Sequence, residues 1–181
     1  MIRRILASAL LAATFDPRAV ASAVPEPQGY WLGADHGATP NRITGGKVIH
    51  TAALAALIQR RQVSIIDVST MPKRPEGMPP NTPWMPLPHN VISGAVWLPE
   101  LGEGTLSPTQ DAWFRGRLAT LTGGDRPLVL YCHPQCWRSW NAAKRAISYG
   151  DRRVYWYPDG IEGWLSAGLP TGTAGAETPP N

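Results

Sequence analysis

Leu128-Val-Leu-Tyr-Cys132-His-Pro-Gln-Cys136-Trp-Arg138-Ser139-Trp-Asn-Ala-Ala-Lys144-Arg145-Ala-Ile-Ser-Tyr149 is the stretch that decides the fold. The apolar run 128–131 predicts a buried strand, and the segment from Arg138 to Tyr149 predicts a helix. The loop between them holds both cysteines of the chain. A thiolate at such a strand end is stabilised by the start of the helix and by Arg138. The pattern therefore predicts a reactive thiol or an anion site in this loop.

Strand and helix patterns alternate on both sides of this loop. The predicted helices are 51–61 with Thr51 as N-cap, 107–121 with Ser107 as N-cap and Gly123-Gly124 as its end, and 161–167; the predicted strands are 63–68, a short one within 89–99, and 153–157. This alternation predicts a single α/β domain with a doubly wound parallel sheet flanked by helices. Sites in such sheets lie at the carboxyl ends of strands, where Asp67 and Cys132 fall.

The two ends of the chain have compositions of their own. Residues 1–23 combine a basic start, a short apolar run and the triplet Ala21-Ser22-Ala23, which is typical of a secretory signal cleaved at about Ala23/Val24. We therefore expect a periplasmic or secreted protein with no membrane span after removal of the signal. Residues 24–46, rich in Pro, Gly and aromatics, predict an extended arm, the domain proper covers 47–170, and residues 171–181 predict a disordered tail.

The charge of the chain argues against a nucleic-acid partner. The full sequence carries a net charge of +4, and loss of residues 1–23 removes three arginines and one aspartate, which leaves +2. No run of Lys or Arg remains in the expected mature chain, so no electrostatic footprint for nucleic acid is present. The proline-rich segment 69–90 predicts a long loop, which we place over the edge of the active site or treat as an insertion without function.

The loop supplies several candidates for chemistry. Cys132 is the expected nucleophile, and Cys136 could pair with it as a disulfide, resolve an oxidised form, or simply line the loop. The forked donors of Arg138 suit an oxyanion. The loop contains no carboxylate, so a general acid would have to come from Asp67, Glu100 or Glu103, if folding brings one of them close. Asp67 is better suited to a supporting role on loop N–H groups. A metal site is not expected, because three soft ligands in one short loop do not readily converge.

From about Lys47 to Pro170 the chain resembles the rhodanese-like family. The resemblance rests on Ile66-Asp67-Val68, His89-x4-Gly94-Ala95-x2-Leu98-Pro99, Val129-Leu130-Tyr131-Cys132, Arg138-Ser139 with Ala142-Ala143, and Asp159-Gly160-x2-Gly163-Trp164-x3-Gly168-Leu169-Pro170. The loop Cys-x3-Cys-Trp with the residues after it is similar to a narrower group. These are exported rhodanese-like proteins named for a CXXCW motif and associated with catabolism that depends on pyrroloquinoline quinone (PQQ).

This resemblance implies a sulfurtransferase-like chemistry in which Cys132 carries a persulfide, or a thiol redox chemistry, with no resident cofactor. It also implies a small sulfur or oxyanion substrate and a setting of periplasmic quinoprotein alcohol oxidation. The anion-binding loop would consist of His133, Pro134, Gln135, Cys136, Trp137, Arg138 and Ser139. An alternative is an accessory protein without catalysis that binds a quinoprotein dehydrogenase or its electron-transfer partner.

One feature of the loop departs from the family pattern. Five residues separate Cys132 from Arg138, whereas sulfurtransferase rhodaneses commonly have four. The resulting Cys-x5-Arg-Ser spacing resembles cysteine phosphatases and rhodanese-fold arsenate reductases. A phosphatase or arsenate reductase is therefore a further alternative.

Overall fold

The fold is a single α/β domain with a central parallel sheet flanked by helices. The computed structural model describes residues 24–60, 63–85, 88–123 and 125–180, so the predicted signal peptide lies outside the described residues. The elements in chain order are β1 Lys47–Val48, α1 Thr51–Gln59, β2 Ser64–Asp67, β3 His89–Ile92, β4 Val96–Trp97, α2 Pro108–Thr122, β5 Leu128–Tyr131, α3 Trp137–Ser148, β6 Val154–Tyr157, α4 Gly160–Ser166 and β7 Thr171–Ala174.

The main sheet has five strands in the order β1-β6-β5-β2-β4, and every neighbouring pair is parallel. Strand β5 lies in the middle, and all four of its residues are buried. Leu128 and Leu130 point to a core shared with α2 and α3, whereas Val129 and Tyr131 point to a second core shared with α1 and α4. The cysteine loop therefore starts from the most enclosed strand of the sheet, which confirms the predicted fold class.

The predicted helices are present with small shifts at their ends. The Ser107 hydroxyl accepts a hydrogen bond from the Gln110 N–H at 3.2 Å, and the Gln110 side chain accepts one from the Ser107 N–H at 2.9 Å. This reciprocal capping box confirms Ser107 as the N-cap of α2. In α1 the N-cap is His50, not Thr51. The Thr51 hydroxyl instead donates to a carboxylate oxygen of Asp159 at 3.0 Å, at the start of α4, which packs on the same face of the sheet as α1.

The C-terminal segment is ordered, although its composition predicts a disordered tail. Strand β7 pairs antiparallel with β3, with Thr171 opposite Ile92. Further along, the Glu177 N–H donates to the Trp97 carbonyl, and the Glu177 carboxylate receives two hydrogen bonds from Arg117. Small residues such as Thr, Gly and Ala give little indication of a strand in the sequence. Their backbone groups nevertheless form hydrogen bonds with the free edge of β3, and this pairing orders the segment.

None of the helices among the described residues is long and apolar enough to cross a membrane.

The described part of the long loop after β2 is organised around Arg74. Its guanidinium donates to the carbonyls of Pro79, Pro80 and Thr82, at 2.6, 3.3 and 2.8 Å. The loop therefore folds partly on itself.

Candidate active site

The cysteine loop joins the end of β5 to the start of α3. Cys132 directly follows the strand, and Cys136 is the N-cap of the helix, which begins at Trp137, one residue before the predicted start. The short connection is possible because Gln135 takes the left-handed backbone conformation, with φ of 51°. Cys132 thus lies at the carboxyl end of the central strand, where the sequence predicts it.

The two cysteines form a disulfide in this structure. Their Cα atoms are 6.5 Å apart, within the range that a disulfide spans. Cys132 is 0% exposed and Cys136 is 3% exposed. Of the roles that the sequence leaves open for Cys136, the structure therefore presents the disulfide partner. In this oxidised form neither sulfur is a nucleophile, so any thiol chemistry must begin with reduction.

The start of α4 packs against the cysteine loop. The Ile161 N–H donates to the Cys132 carbonyl at 3.0 Å. Gly160, with φ of +63°, lies so close that a Cβ atom there would be 2.6 Å from the carbonyl carbon of His133 and from the nitrogen of Pro134. Only glycine allows this approach. The Asp159-Gly160 pair, noted in the sequence as part of the family resemblance, therefore shapes the cysteine loop.

Arg138 is bound by three carboxylates. Its Nε and Nη2 atoms lie 2.9 and 2.7 Å from Asp35 Oδ2, its Nη1 lies 3.2 Å from Glu100 Oε2, and its Nη2 lies 3.5 Å from Glu103 Oε1. The arginine side chain is 10% exposed. In this arrangement carboxylates of the protein itself take up the donors of Arg138 that the sequence assigns to an anion.

The carboxylate of Glu103 is held in an unfavourable position. Its pKa is raised, chiefly by burial and then by the hydrogen bond with Glu100, and Arg138 only partly offsets these effects. Glu100 and Glu103 were candidates for a general acid outside the loop. The structure places both beside Arg138, where they neutralise the cation.

We expect Glu103→Gln to raise the melting temperature at pH 7. A carboxyl whose pKa is raised on folding favours the folded state when protonated and loses that contribution as the pH rises through its folded pKa. The neutral amide removes this loss, so the gain should be greatest at neutral pH and should vanish below about pH 4, where the wild-type carboxyl is protonated. Melting curves from pH 4 to 8 measure this difference. A gain that is equal at all pH values would contradict the assignment.

The side chains of His133 and Ser139, two residues of the predicted anion-binding loop, contact other groups of the protein. The His133 Nδ1 lies 2.6 Å from Glu162 Oε1, on the first turn of α4. The buried Ser139 hydroxyl donates to the Cys136 carbonyl at 3.2 Å and accepts from the Trp156 indole at 3.0 Å. Ser139, which the sequence assigns to the anion-binding loop, therefore fastens the start of α3 to the sheet.

Asp67 is buried beside the neighbouring strand end. Its Oδ1 accepts from the Ser69 N–H at 2.8 Å, which is the kind of loop N–H contact that the sequence suggests, and its Oδ2 lies 3.1 Å from His89 Nε2. His89 also stacks on Trp97 with ring centroids 3.8 Å apart. Burial and the neighbouring Asp67 raise the pKa of Tyr131, so this phenol stays protonated. The cluster braces the strand ends.

The N-terminal arm contacts the cysteine loop. The Trp137 N–H donates to the Asp35 carbonyl at 2.7 Å, and the Gly37 N–H donates to the Gln135 carbonyl at 2.9 Å. His36 and Cys136 form an isolated antiparallel bridge. Residues 35–37 thus cover the cysteine loop, a long-range contact for which the arm's irregular sequence carries no periodic signal. The described part of segment 69–90 reaches the edge of the site at Met71, whose N–H donates to Glu100 Oε1 at 3.0 Å.

The polar and aromatic residues after the second cysteine fasten this arm. Trp31 stacks on Trp137 with centroids 4.2 Å apart and an interplanar angle of 11°. The Asn141 side chain accepts from the Trp31 N–H at 2.8 Å and donates to the Trp31 carbonyl at 3.0 Å. Lys144 donates to the Pro27 carbonyl, and Arg145 lies over the ring of Tyr30. These residues therefore have a structural role in holding residues 24–37.

Among the described residues, no group of three or more His, Cys, Asp or Glu side chains is arranged to hold a metal ion.

The fold and the loop define a class of protein: a parallel α/β domain that places a cysteine between a buried central strand and the start of a helix. The model of the rhodanese-like domain matches residues 50–167. The chain belongs to the rhodanese-like family.

Solved structures of similar fold include proteins from several bacteria. A full-length protein from Lactobacillus plantarum is 19% identical, with 70% of this chain and 87% of that chain covered and a TM-score of 0.48. A protein from Bacillus halodurans is 18% identical, with 70% and 76% covered and a TM-score of 0.47. A thiosulfate sulfurtransferase from Pseudomonas aeruginosa is 16% identical, with 75% and 22% covered and a TM-score of 0.49. No curated protein matches the sequence.

Proposed function

We propose that this protein carries out sulfur transfer or thiol redox chemistry on Cys132, with the Cys132–Cys136 disulfide as its resting oxidised form. The observation that carries the proposal is the cysteine pair itself, buried between the central strand and the start of α3. Once reduced, Cys132 would face the first N–H groups of α3, which lower the pKa of a thiol. Arg138 adds little to this effect, because three carboxylates already neutralise it.

The proposed cycle needs a thiol reductant and a sulfane sulfur donor. An external dithiol reduces the disulfide and leaves as its own disulfide. The Cys132 thiolate then attacks the outer sulfur of a donor such as thiosulfate, so that a persulfide forms and sulfite leaves. If the Cys136 thiolate next attacks the Cys132 sulfur, hydrosulfide leaves and the disulfide returns. Over both steps the two thiols lose two electrons and two protons, and the sulfane sulfur gains them as hydrogen sulfide.

The test is intact-mass measurement of the reduced mature protein after exposure to thiosulfate, with Cys132→Ser and Cys136→Ser as matched variants. We expect Cys136→Ser to retain one added sulfur atom, because its persulfide cannot be resolved within the chain. Cys132→Ser should gain none. The wild type should lose two hydrogens and release sulfite and hydrogen sulfide. If Cys136→Ser gains no sulfur and the wild type is not oxidised by the donor, the proposal fails.

The setting of the reaction is part of the same proposal. The signal-like residues 1–23 support export to the periplasm, and the Cys-x3-Cys-Trp loop supports an association with PQQ-dependent alcohol catabolism. An accessory role without catalysis is the second candidate, favoured by the burial of both cysteines, which are 0% and 3% exposed. Growth on alcohols separates the two: an accessory protein keeps its effect in the Cys132→Ser strain, whereas a thiol enzyme loses it.

Phosphatase or arsenate reductase activity is less well supported by the site. The Cys-x5-Arg spacing is present, but the guanidinium that would hold the oxyanion binds Asp35, Glu100 and Glu103. The loop also contains no acid. Both features leave the spacing without the partners that this chemistry requires.

A further inference from the structure

Residues 30–37, which we call the strap, are irregular in conformation and lie against the cysteine loop through an isolated antiparallel bridge between His36 and Cys136. The Trp137 N–H donates a hydrogen bond to the Asp35 carbonyl of the strap, and the Gly37 N–H of the strap donates one to the Gln135 carbonyl. These bonds use backbone groups on both sides of Cys136. The strap therefore pairs with the part of the loop that a substrate or a reducing thiol must approach.

Asp35 makes two contacts in this strap. Its carbonyl accepts from the backbone N–H of the first residue of α3, at 2.7 Å. Its carboxylate lies 2.7 Å from Arg138 Nη2. The N–H groups at a helix start and a forked guanidinium are the donors that bind anions in proteins. Asp35 thus occupies, with its carbonyl and its carboxylate, the Trp137 N–H and the Arg138 guanidinium that an external anion would use.

The two ends of the strap differ in how firmly they are held. Trp31 is anchored by its stack on Trp137 and by two hydrogen bonds to Asn141. Asp35 is more open, since its side chain is 43% exposed. Beyond it, Gly37 adopts a φ of +149°, a backbone conformation open to glycine that eases a change of direction. The strap can therefore be released at Asp35 and remain attached at Trp31.

We propose that the strap is an autoinhibitory element: Asp35 latches it over the cysteine loop, and it must lift before Cys132 and Cys136 react with molecules in solution. The complete burial of Cys132 and the near-complete burial of Cys136 are what this closed state requires. The inference rests on the proposed function in taking Cys132 as the reacting atom. An anion that binds the start of α3 and Arg138 would compete with Asp35 and open the strap.

The test measures how fast dithiothreitol reduces the disulfide in the full mature protein, followed by trapping of the thiols with iodoacetamide and mass measurement. The reagent is oxidised to its cyclic disulfide as the protein gains two thiols. Asp35→Asn should accelerate reduction by about tenfold, because it loses a charge-assisted contact. Trp31→Ala should accelerate it less, because Trp31 stays attached when the strap is released at Asp35. Glu26→Gln is the charge-matched control, because Glu26 bonds Thr44 within the arm, and its rate should equal that of the wild type.

Hydrogen exchange separates lifting of the strap from opening of the whole domain. In Asp35→Asn the Trp137 amide should exchange faster, while the amide of Leu130 in β5 stays as protected as in the wild type. Reduction rates within about twofold of wild type in both strap variants would overturn the proposal. So would equal acceleration at Leu130, since the domain would then open as a whole. If the wild type takes up no sulfur but the strap variants are still reduced faster, the proposed function fails and the strap stands.

Discussion

Gly160→Ala should lower the free energy of unfolding by about 3 to 5 kcal/mol, since backbone strain and steric overlap add at this position. The added Cβ would meet the His133 carbonyl carbon and the Pro134 nitrogen at 2.6 Å and the Cys132 carbonyl oxygen at 2.8 Å. All three atoms belong to the backbone, so no side chain can rotate away. Either α4 moves away from the sheet or the cysteine loop shifts.

A matched substitution isolates the steric part of this effect. Gly168 has a φ of +65°, close to the +63° of Gly160, but a Cβ there would have no atom within 4 Å. Gly168→Ala should therefore show only the cost of the left-handed backbone, about 1 kcal/mol. Urea unfolding of the oxidised protein measures both variants. Equal losses at the two positions would show that the approach of α4 to the cysteine loop contributes nothing beyond backbone strain.

The same substitution should affect the chemistry of the loop. The Ile161 N–H bond to the Cys132 carbonyl depends on the position of α4, so displacement of the helix releases the loop. Sulfur uptake by a reduced Gly160→Ala, Cys136→Ser double variant should be slower than in Cys136→Ser alone. Gly168→Ala in the same background serves as its control, because Gly168 lies at the other end of α4.

The sheet and the position of Cys132 could be predicted from the sequence because their signals are local. The run 128–131 is apolar throughout, Ser107-Pro108 marks a helix start, and alternation of strand and helix defines the parallel topology. Each of these features depends on neighbours within a few residues. The carboxyl end of β5 then follows from the topology alone.

The environment of the loop could not be predicted, because it depends on contacts between distant segments. Asp35 and Arg138 are 103 positions apart, and Trp31 and Asn141 are 110 apart. Arg138 offers the same donors to an oxyanion and to a carboxylate, so residue type alone does not decide between them. The order of residues 171–177 was missed for a related reason, since its backbone pairing with β3 does not require distinctive side chains.

Two acidic residues did carry a usable signal. Glu100 and Glu103 lie in the loop after the short strand β4, whose carboxyl end lies at the same edge of the sheet as that of β5. The sequence placed them as candidate acids that folding might bring near the loop. Their position beside Arg138 agrees with that proximity, but their partner is the arginine and not a substrate.

Arg138→Ala should destabilise the protein by about 2 to 3 kcal/mol at pH 7, less than for a fully buried ion pair because its partners are partly exposed. The arginine side chain is 10% exposed, whereas those of Asp35, Glu100 and Glu103 are 43%, 28% and 45% exposed. Without the guanidinium, three carboxylates repel one another around a vacated volume. When the carboxylates are protonated, the wild type loses their attraction to Arg138 and the variant loses the repulsion among them. The difference in stability between the two proteins should therefore shrink as the pH falls towards about 4.

Arg117→Ala provides the comparison for this prediction, because Arg117 pairs with a single partner, Glu177, whose side chain is 38% exposed. A pair of this kind contributes roughly 0 to 1 kcal/mol. Urea unfolding at pH 7 and pH 4 should therefore show a large, pH-dependent deficit for Arg138→Ala and a small one for Arg117→Ala. Because Arg138 also holds Asp35, its removal should in addition speed reduction of the Cys132–Cys136 disulfide. A stable variant whose disulfide is reduced at the wild-type rate would mean that Arg138 neither balances the acidic cluster nor holds the strap.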